Sequence, residues 1–111
     1  MINSPGRSLL GKNRKLELLE IPEWGTTVYI TKMSGQARDL LEAELRDKKS
    51  GLVRATIVAY TVCDEKGNLL FAPEDLESIA KEPYQILDKI AEVAYRLNEI
   101  SDDAIIALKK T

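Results

Sequence analysis

The sequence contains no histidine, and this absence limits the chemistry that the chain can perform. Histidine is the usual acid or base near neutral pH and the commonest metal ligand in proteins. No serine, threonine or cysteine has an obvious base beside it in the sequence, and no pair of carboxylates has a distinctive spacing. We therefore expect a protein that is not an enzyme and that holds no metal and no cofactor.

Cysteine is almost absent as well, because Cys63 is the single one and cannot form an internal disulfide. It lies in an apolar run, where desolvation keeps a thiol protonated and inert, so we expect it to be buried and structural. A fold held by packing alone suits a reducing compartment. The sequence also has no apolar run of about 18 residues, and residues 1–15 lack the apolar core of a secretory signal. These absences predict a protein of the cytoplasm.

Neither sign of charge dominates, since 16 basic and 18 acidic residues give a net charge of -2. A balanced surface has no net attraction for nucleic acid or for an anionic membrane, so a protein partner is expected. Four basic side chains near the start could contact phosphates, but no aromatic residues alternate with them. A small nucleic-acid-binding regulator is therefore kept as an alternative on the basis of Arg7, Lys12, Arg14 and Lys15.

What the sequence does have is the composition of one ordinary globular domain. Of its 111 residues, 44% are hydrophobic and 31% are charged. Residues 1–15 have little apolar content and are predicted to form a flexible N-terminal arm. We expect a single domain over residues 16–108 and a short tail at 109–111.

Two predicted strands come first. Apolar residues partly alternate with glutamates over 15–21, and residues 26–32 are rich in β-branched and aromatic types. Between them the segment Pro22-Glu23-Trp24-Gly25 can reverse the chain within a few residues. The sequence therefore predicts a β-hairpin.

A helix is predicted next, over 35–48. The Ser34 hydroxyl can accept a backbone N–H of its first turn, and Leu40, Leu41 and Leu45 form the predicted buried stripe. Its charged residues occur at i,i+4 spacing, which predicts a solvated face with three ion pairs: Arg38–Glu42, Glu42–Arg46 and Glu44–Lys48.

The apolar run from Leu52 to Cys63 can be interpreted in two ways. Its β-branched residues favour a strand, whereas twelve residues that are apolar on all sides suit a buried central helix. The local sequence pattern alone does not decide between a strand and a helix.

The second half of the chain predicts more helix. Residues 64–68 form a turn, and residues 69–71 are long enough only for an edge strand. Pro73 and Pro83 each suit the first turn of a helix, and the stripe after Pro83 is the clearest helical pattern in the sequence. Ser101 can cap a final turn or two. The predicted fold class is thus α+β, mostly α, with an N-terminal β-hairpin followed by four to five helices in one small domain.

Two groups of side chains suggest sites. Asp64, Glu65, Asn68, Glu74 and Asp75 could be calcium ligands, but the loop is shorter than the twelve-residue pattern of an EF-hand, so a plain turn is favoured.

Trp24 lies in the predicted hairpin turn, where a large ring either folds back on the core or meets a partner. Trp24, together with Tyr29 on the following strand, is the candidate protein-binding residue set.

The order of these elements resembles the tail assembly chaperones of long-tailed bacteriophages. In the first half the resemblance rests on residues 18–25, LLEIPEWG, then VYI at 28–30, then Ser34-Gly35 and a charged helix. In the second half it rests on residues 58–76, VAYTVCDEKGNLLFAPEDL, where an apolar segment precedes a glycine turn and an acidic helix start. The resemblance covers roughly residues 16–108 and implies that the run from Leu52 to Cys63 is helical.

The resemblance also implies a function. Proteins of this family act in the host cytoplasm, hold the aggregation-prone tape measure protein, assist recruitment of the major tail tube protein, and are not enzymes. A phage or prophage origin and self-association into a homo-oligomer are compatible with that role. The alternative within a phage is a structural virion protein, such as a tail or head–tail connector component.

A frameshifted, longer form of the chain is a further expectation from the resemblance. Many such genes shift frame near their end, and Lys109-Lys110 is a dipeptide that slippery codons can encode. A gene without a slippery heptamer at those codons would contradict it.

Overall fold

The computed structural model describes residues 5–10, 15–47 and 52–99. Within them the strands are β1 (Leu16–Ile21), β2 (Thr26–Thr31) and β3 (Val62–Cys63). The α-helices are α1 (Gly35–Asp47), α2 (Val53–Thr61), α3 (Leu76–Ala80) and α4 (Tyr84–Leu97). Short 3-10 turns lie at Pro5–Leu9, Pro22–Trp24 and Pro73–Asp75. The predicted α+β class, a hairpin followed by four helices in the described residues, is confirmed.

The hairpin forms because its connecting segment fits a tight turn. β1 and β2 pair antiparallel, from Leu16 opposite Thr31 to Ile21 opposite Thr26. Pro22 begins the 3-10 turn, and the N–H of Gly25 donates to the Pro22 carbonyl at 2.9 Å. Gly25 has φ of +66°, a conformation that a residue without Cβ adopts at little cost. The strand reversal predicted here is confirmed.

The third strand comes from the end of the long apolar run. β3 pairs antiparallel with β2, so the sheet order is β1-β2-β3. The helical interpretation of the run is correct for Val53–Thr61 and wrong for Val62 and Cys63. There the backbone becomes extended because β2 on one side and residues 69–70 on the other provide hydrogen-bond partners. The edge strand predicted at 69–71 is reduced to one bridge between Leu69 and Cys63.

Helix α2 is the centre of the core. It contacts α1, α3, α4 and β2, which explains why a helix with apolar residues on all sides is stable here. Ile57 and Val58 are fully buried, and Cys63 just beyond the helix is buried as predicted. Burial of a large aliphatic side chain stabilises a fold by about 1.5–3 kcal/mol relative to leaving it exposed.

Helix α1 begins with the predicted serine cap. The Ala37 N–H donates to the Ser34 hydroxyl at 3.0 Å, and Arg38 pairs with Glu42 at 3.2 Å on the exposed face. The predicted stripe is correct for Leu41, which is 2% exposed, and wrong for Leu40, which is 43% exposed. Ala37, one turn before Leu41, takes that buried position instead.

One polar residue of α1 makes a contact that the sequence does not predict. The Thr56 hydroxyl of α2 lies 2.8 Å from both carboxylate oxygens of Glu44. Thr56 is buried, and a buried hydroxyl without a partner is costly, so this contact joins the two helices through a satisfied polar group. Lys48, the predicted partner of Glu44, lies outside the described residues.

Replacing Ser34 with alanine should lower the free energy of unfolding by about 1 kcal/mol, because the first turn of α1 loses its side-chain acceptor. Urea denaturation followed by circular dichroism measures this change. Ser34→Asp keeps an oxygen acceptor and is the matched control. Equal losses in both variants would contradict a capping role for Ser34.

Helix α4 presents the predicted apolar stripe to the core, with Ile86, Leu87, Ile90 and Ala94 buried. Its end is fixed by Asn98, whose side-chain oxygen accepts the Met33 N–H at 2.7 Å while its amide donates to the Ala94 carbonyl at 2.8 Å.

In the described part of the chain, two ion pairs also join α4 to other elements. Asp88 accepts from the Arg54 guanidinium of α2 at 2.8 Å, and Arg96 pairs with Glu17 of β1. The helix is therefore tied to the strands at its C-terminal end and to α2 near its start.

Some expectations fall outside the described residues, namely the final turn capped by Ser101 and the Lys109-Lys110 dipeptide. Within residues 5–10, 15–47 and 52–99, the helices are too short or too polar to cross a membrane.

Candidate binding cleft between the hairpin turn and helix α3

The acidic turn after β3 uses its carboxylate to close the turn. Asp64 Oδ1 accepts the N–H of Lys66 at 2.8 Å and that of Asn68 at 2.9 Å, and Gly67 occupies the left-handed position with φ of +87°. Among the described residues no group of three or more acidic or cysteine side chains is arranged to hold a metal ion. The two hydrogen bonds to its carboxylate show that Asp64 stabilises a turn, which the favoured interpretation predicts.

The backbone N–H of Asn68 holds the pKa of the Asp64 carboxyl below its ordinary value, and the N–H of Lys66 acts in the same direction. Because the folded pKa is lower than the unfolded one, the carboxylate stabilises the turn above the unfolded pKa. That stabilisation is lost as the pH falls through the folded pKa. A carboxyl ¹³C NMR titration should place the Asp64 midpoint below that of a free peptide of residues 62–70. Equal midpoints would contradict the turn geometry.

An open cleft of about 500 Å³ lies between the hairpin turn, the loop after β3 and helix α3. We call it the hairpin–α3 cleft. Among the described residues, three separate segments of the chain supply its walls. The described residues that line it are Trp24, Leu70, Phe71, Asp75, Ser78, Ile79 and Glu82.

Trp24 connects the cleft to the core. It is half-buried and packs against the core, and its ring meets Phe71 edge to face, with centroids 6.1 Å apart and planes at 70°. The indole N–H donates to Glu82 Oε1 at 2.7 Å. Trp24 therefore folds back on the core and also lines an open surface, and its contact with a partner stays a prediction.

The cleft combines an apolar floor with an acidic rim. Ile79 is buried beneath it, whereas Leu70 is 51% exposed. On the rim, Asp75 Oδ2 accepts the Ala72 N–H at 2.8 Å, and Glu82 is held by Trp24. Each carboxylate therefore uses one oxygen inside the fold. Within the described part of the chain neither has an ion-pair partner.

Of the residues of this cleft, the sequence singles out Trp24 as a binding residue and Asp75 only as a possible calcium ligand. A signal for Leu70 and Phe71 exists in the apolar triplet at 69–71, which precedes the acidic helix start at Pro73. The triplet is too short for a strand of its own, so its exposed leucines need another explanation. Asp75, at that acidic helix start, lies in the lining of the cleft, which its place in the sequence does not indicate.

Tyr29 lies elsewhere. On β2 it is opposite Leu18 of β1 and Cys63 of β3, on the face of the sheet that alternates with the buried Val28 and Ile30. It is half-buried, and the neighbouring Leu18 is 56% exposed. The structure does not bring Tyr29 and Trp24 into one site, and a binding role for Tyr29 stays a prediction.

Comparison with solved structures finds a similar fold. The chain is similar to the tail assembly chaperone of bacteriophage HK97, with a TM-score of 0.66 and 17% sequence identity. The superposition covers 86% of this chain and 94% of that one. No protein-family model and no curated protein matches the chain. The fold that the sequence resemblance implied is confirmed, and it is a fold found in a phage tail assembly chaperone.

Proposed function

We propose that the chain is a non-catalytic tail assembly chaperone that binds the tape measure protein in the host cytoplasm and assists phage tail assembly. The observation that carries the proposal is the similarity to the HK97 chaperone, because it extends over nearly the whole of both chains. It is independent of the sequence motifs that first suggested the family.

Two features of the described residues support a binding role. The hairpin–α3 cleft is open and partly apolar, as sites for protein anchors are. Several large apolar side chains are also exposed, among them Leu9, Leu10, Leu18 and Leu70. A holdase binds exposed apolar segments of a client, and these exposed leucines offer apolar surface for such contacts.

Co-expression tests the proposal. The chain should raise the soluble fraction of the tape measure protein encoded by the same phage or prophage, measured by sedimentation and gel densitometry. A small soluble domain of unrelated fold, expressed at the same level, is the control. An unchanged soluble fraction would overturn the proposal.

Purified particles distinguish the structural-protein alternative. A chaperone leaves before the virion is finished, so mass spectrometry of purified phage particles should find the chain absent or far below the copy number of tail proteins. A stoichiometric amount in the particles would favour a virion component instead.

A further inference from the structure

We infer that the hairpin–α3 cleft receives a large apolar side chain of the tape measure protein that has a lysine or arginine beside it. This inference rests on the proposed function and adds the chemistry of the contact. The evidence for it is the combination of side chains that line the cleft. Apolar and aromatic side chains line the cleft together with two carboxylates, and none of the described residues in its lining is basic.

The size and shape of the cleft suit a protein anchor. Pockets that hold ligands have volumes of about 300–1,000 Å³, and about 500 Å³ lies within that range. The cleft is open, and half of Leu70 is exposed at its edge, so an occupant must contribute surface beyond the cleft to cover that side chain. Protein interfaces place an apolar or aromatic anchor in such a depression and surround it with polar contacts.

The charges on the rim determine the partner's chemistry. The Asp75 carboxylate accepts the Ala72 N–H and the Glu82 carboxylate accepts the Trp24 indole N–H, so both are held at the cleft by hydrogen bonds within the fold. An acidic partner would be repelled by both carboxylates. A lysine or arginine next to the anchor would form charge-assisted hydrogen bonds with them, and the Ser78 hydroxyl lies in the same lining.

The first test removes the negative charges of Asp75 and Glu82 and keeps the hydrogen bonds that these side chains accept. In Asp75→Asn/Glu82→Gln each new amide keeps an oxygen that can accept the Ala72 N–H or the Trp24 indole N–H. Binding of dye-labelled tape measure fragments, measured by fluorescence anisotropy, should weaken about tenfold, and its dependence on salt should become shallower. The matched control is Asp39→Asn/Glu92→Gln, which removes the same charge from exposed positions on α1 and α4. It should bind as the unaltered chain does.

The second test removes apolar contact. Leu70→Ser should weaken binding about fivefold to tenfold, because Leu70 lines the cleft while being exposed enough to replace without damaging the core. Leu40→Ser changes a leucine that is 43% exposed on α1, outside the cleft, and should leave binding unchanged. Circular dichroism should show that all four variants are folded.

The outcomes separate this inference from the proposed function. If the unaltered chain binds the fragments and the cleft variants bind equally well, the inference is overturned while the chaperone proposal stands. If the unaltered chain binds none of them, the proposed function fails and the inference falls with it. If the cleft variants lose self-association but keep tape measure binding, the occupant is a second copy of this chain, and the inference is again overturned.

Discussion

Replacing Ile57 with alanine should lower the free energy of unfolding by about 2–5 kcal/mol. Ile57 is fully buried on α2, and α2 contacts three other helices and strand β2. The surrounding elements are held from several directions, so they cannot collapse into the cavity that the shorter side chain leaves. Urea denaturation monitored by circular dichroism, with the midpoint and slope fitted together, gives the change.

Two further substitutions serve as controls for the Ile57→Ala result. Ile57→Val removes one methylene and should cost about 0.5–1.5 kcal/mol. Leu40→Ala removes a leucine that is 43% exposed on α1 and should cost less than about 1 kcal/mol. Equal losses for Ile57→Ala and Leu40→Ala would contradict the central position of α2 in the core.

The sequence predicted the elements that depend on local pattern. Pro22 and Gly25 predicted the hairpin turn, Ser34 predicted the start of α1, and the stripe after Pro83 predicted α4. Each of these signals acts within a few residues. Proline restricts one φ angle, glycine permits another, and a serine hydroxyl reaches a backbone N–H three residues ahead.

Elements that depend on contacts between distant residues were harder to predict from the sequence. The run from Leu52 to Cys63 is apolar on every side. Its helical part is stable because other elements surround it, and the local sequence pattern does not show those neighbours. Its last two residues pair with β2, some thirty residues earlier in the chain, and form β3. Leu40 is exposed and Ala37 is buried because the face of α1 that meets α2 is set by packing and not by the hydrophobic pattern alone.

The cleft was the least predictable feature for the same reason. Trp24 and Glu82 are separated by 58 positions in the sequence and are joined by one hydrogen bond in the fold. Phe71 comes from a third segment and meets the Trp24 ring at its edge. Composition indicated a binding protein without a catalytic histidine, but only the tertiary structure assembles an apolar floor and an acidic rim at one place.

Replacing Trp24 with alanine should lower the free energy of unfolding by about 2–3 kcal/mol, because the ring loses its contact with Phe71 and with the core around it. The value lies below that of a fully buried tryptophan because Trp24 is only half-buried. The same change removes one wall of the cleft, so binding of tape measure fragments should weaken at least about tenfold. Denaturation and fluorescence anisotropy measure the two effects separately.

Trp24→Phe distinguishes a cap on the core from a contact with the partner. The phenyl ring keeps an aromatic surface against Phe71 but cannot donate to Glu82, so stability should fall by only about 1 kcal/mol. If Trp24 only caps the core, Trp24→Ala measured well below its unfolding temperature should bind as the unaltered chain does. If Trp24 also contacts the partner, Trp24→Ala should bind weakly although folded. Trp24→Phe should then bind with intermediate affinity, because it restores the aromatic wall and leaves the Glu82 side chain without the donor that orients it.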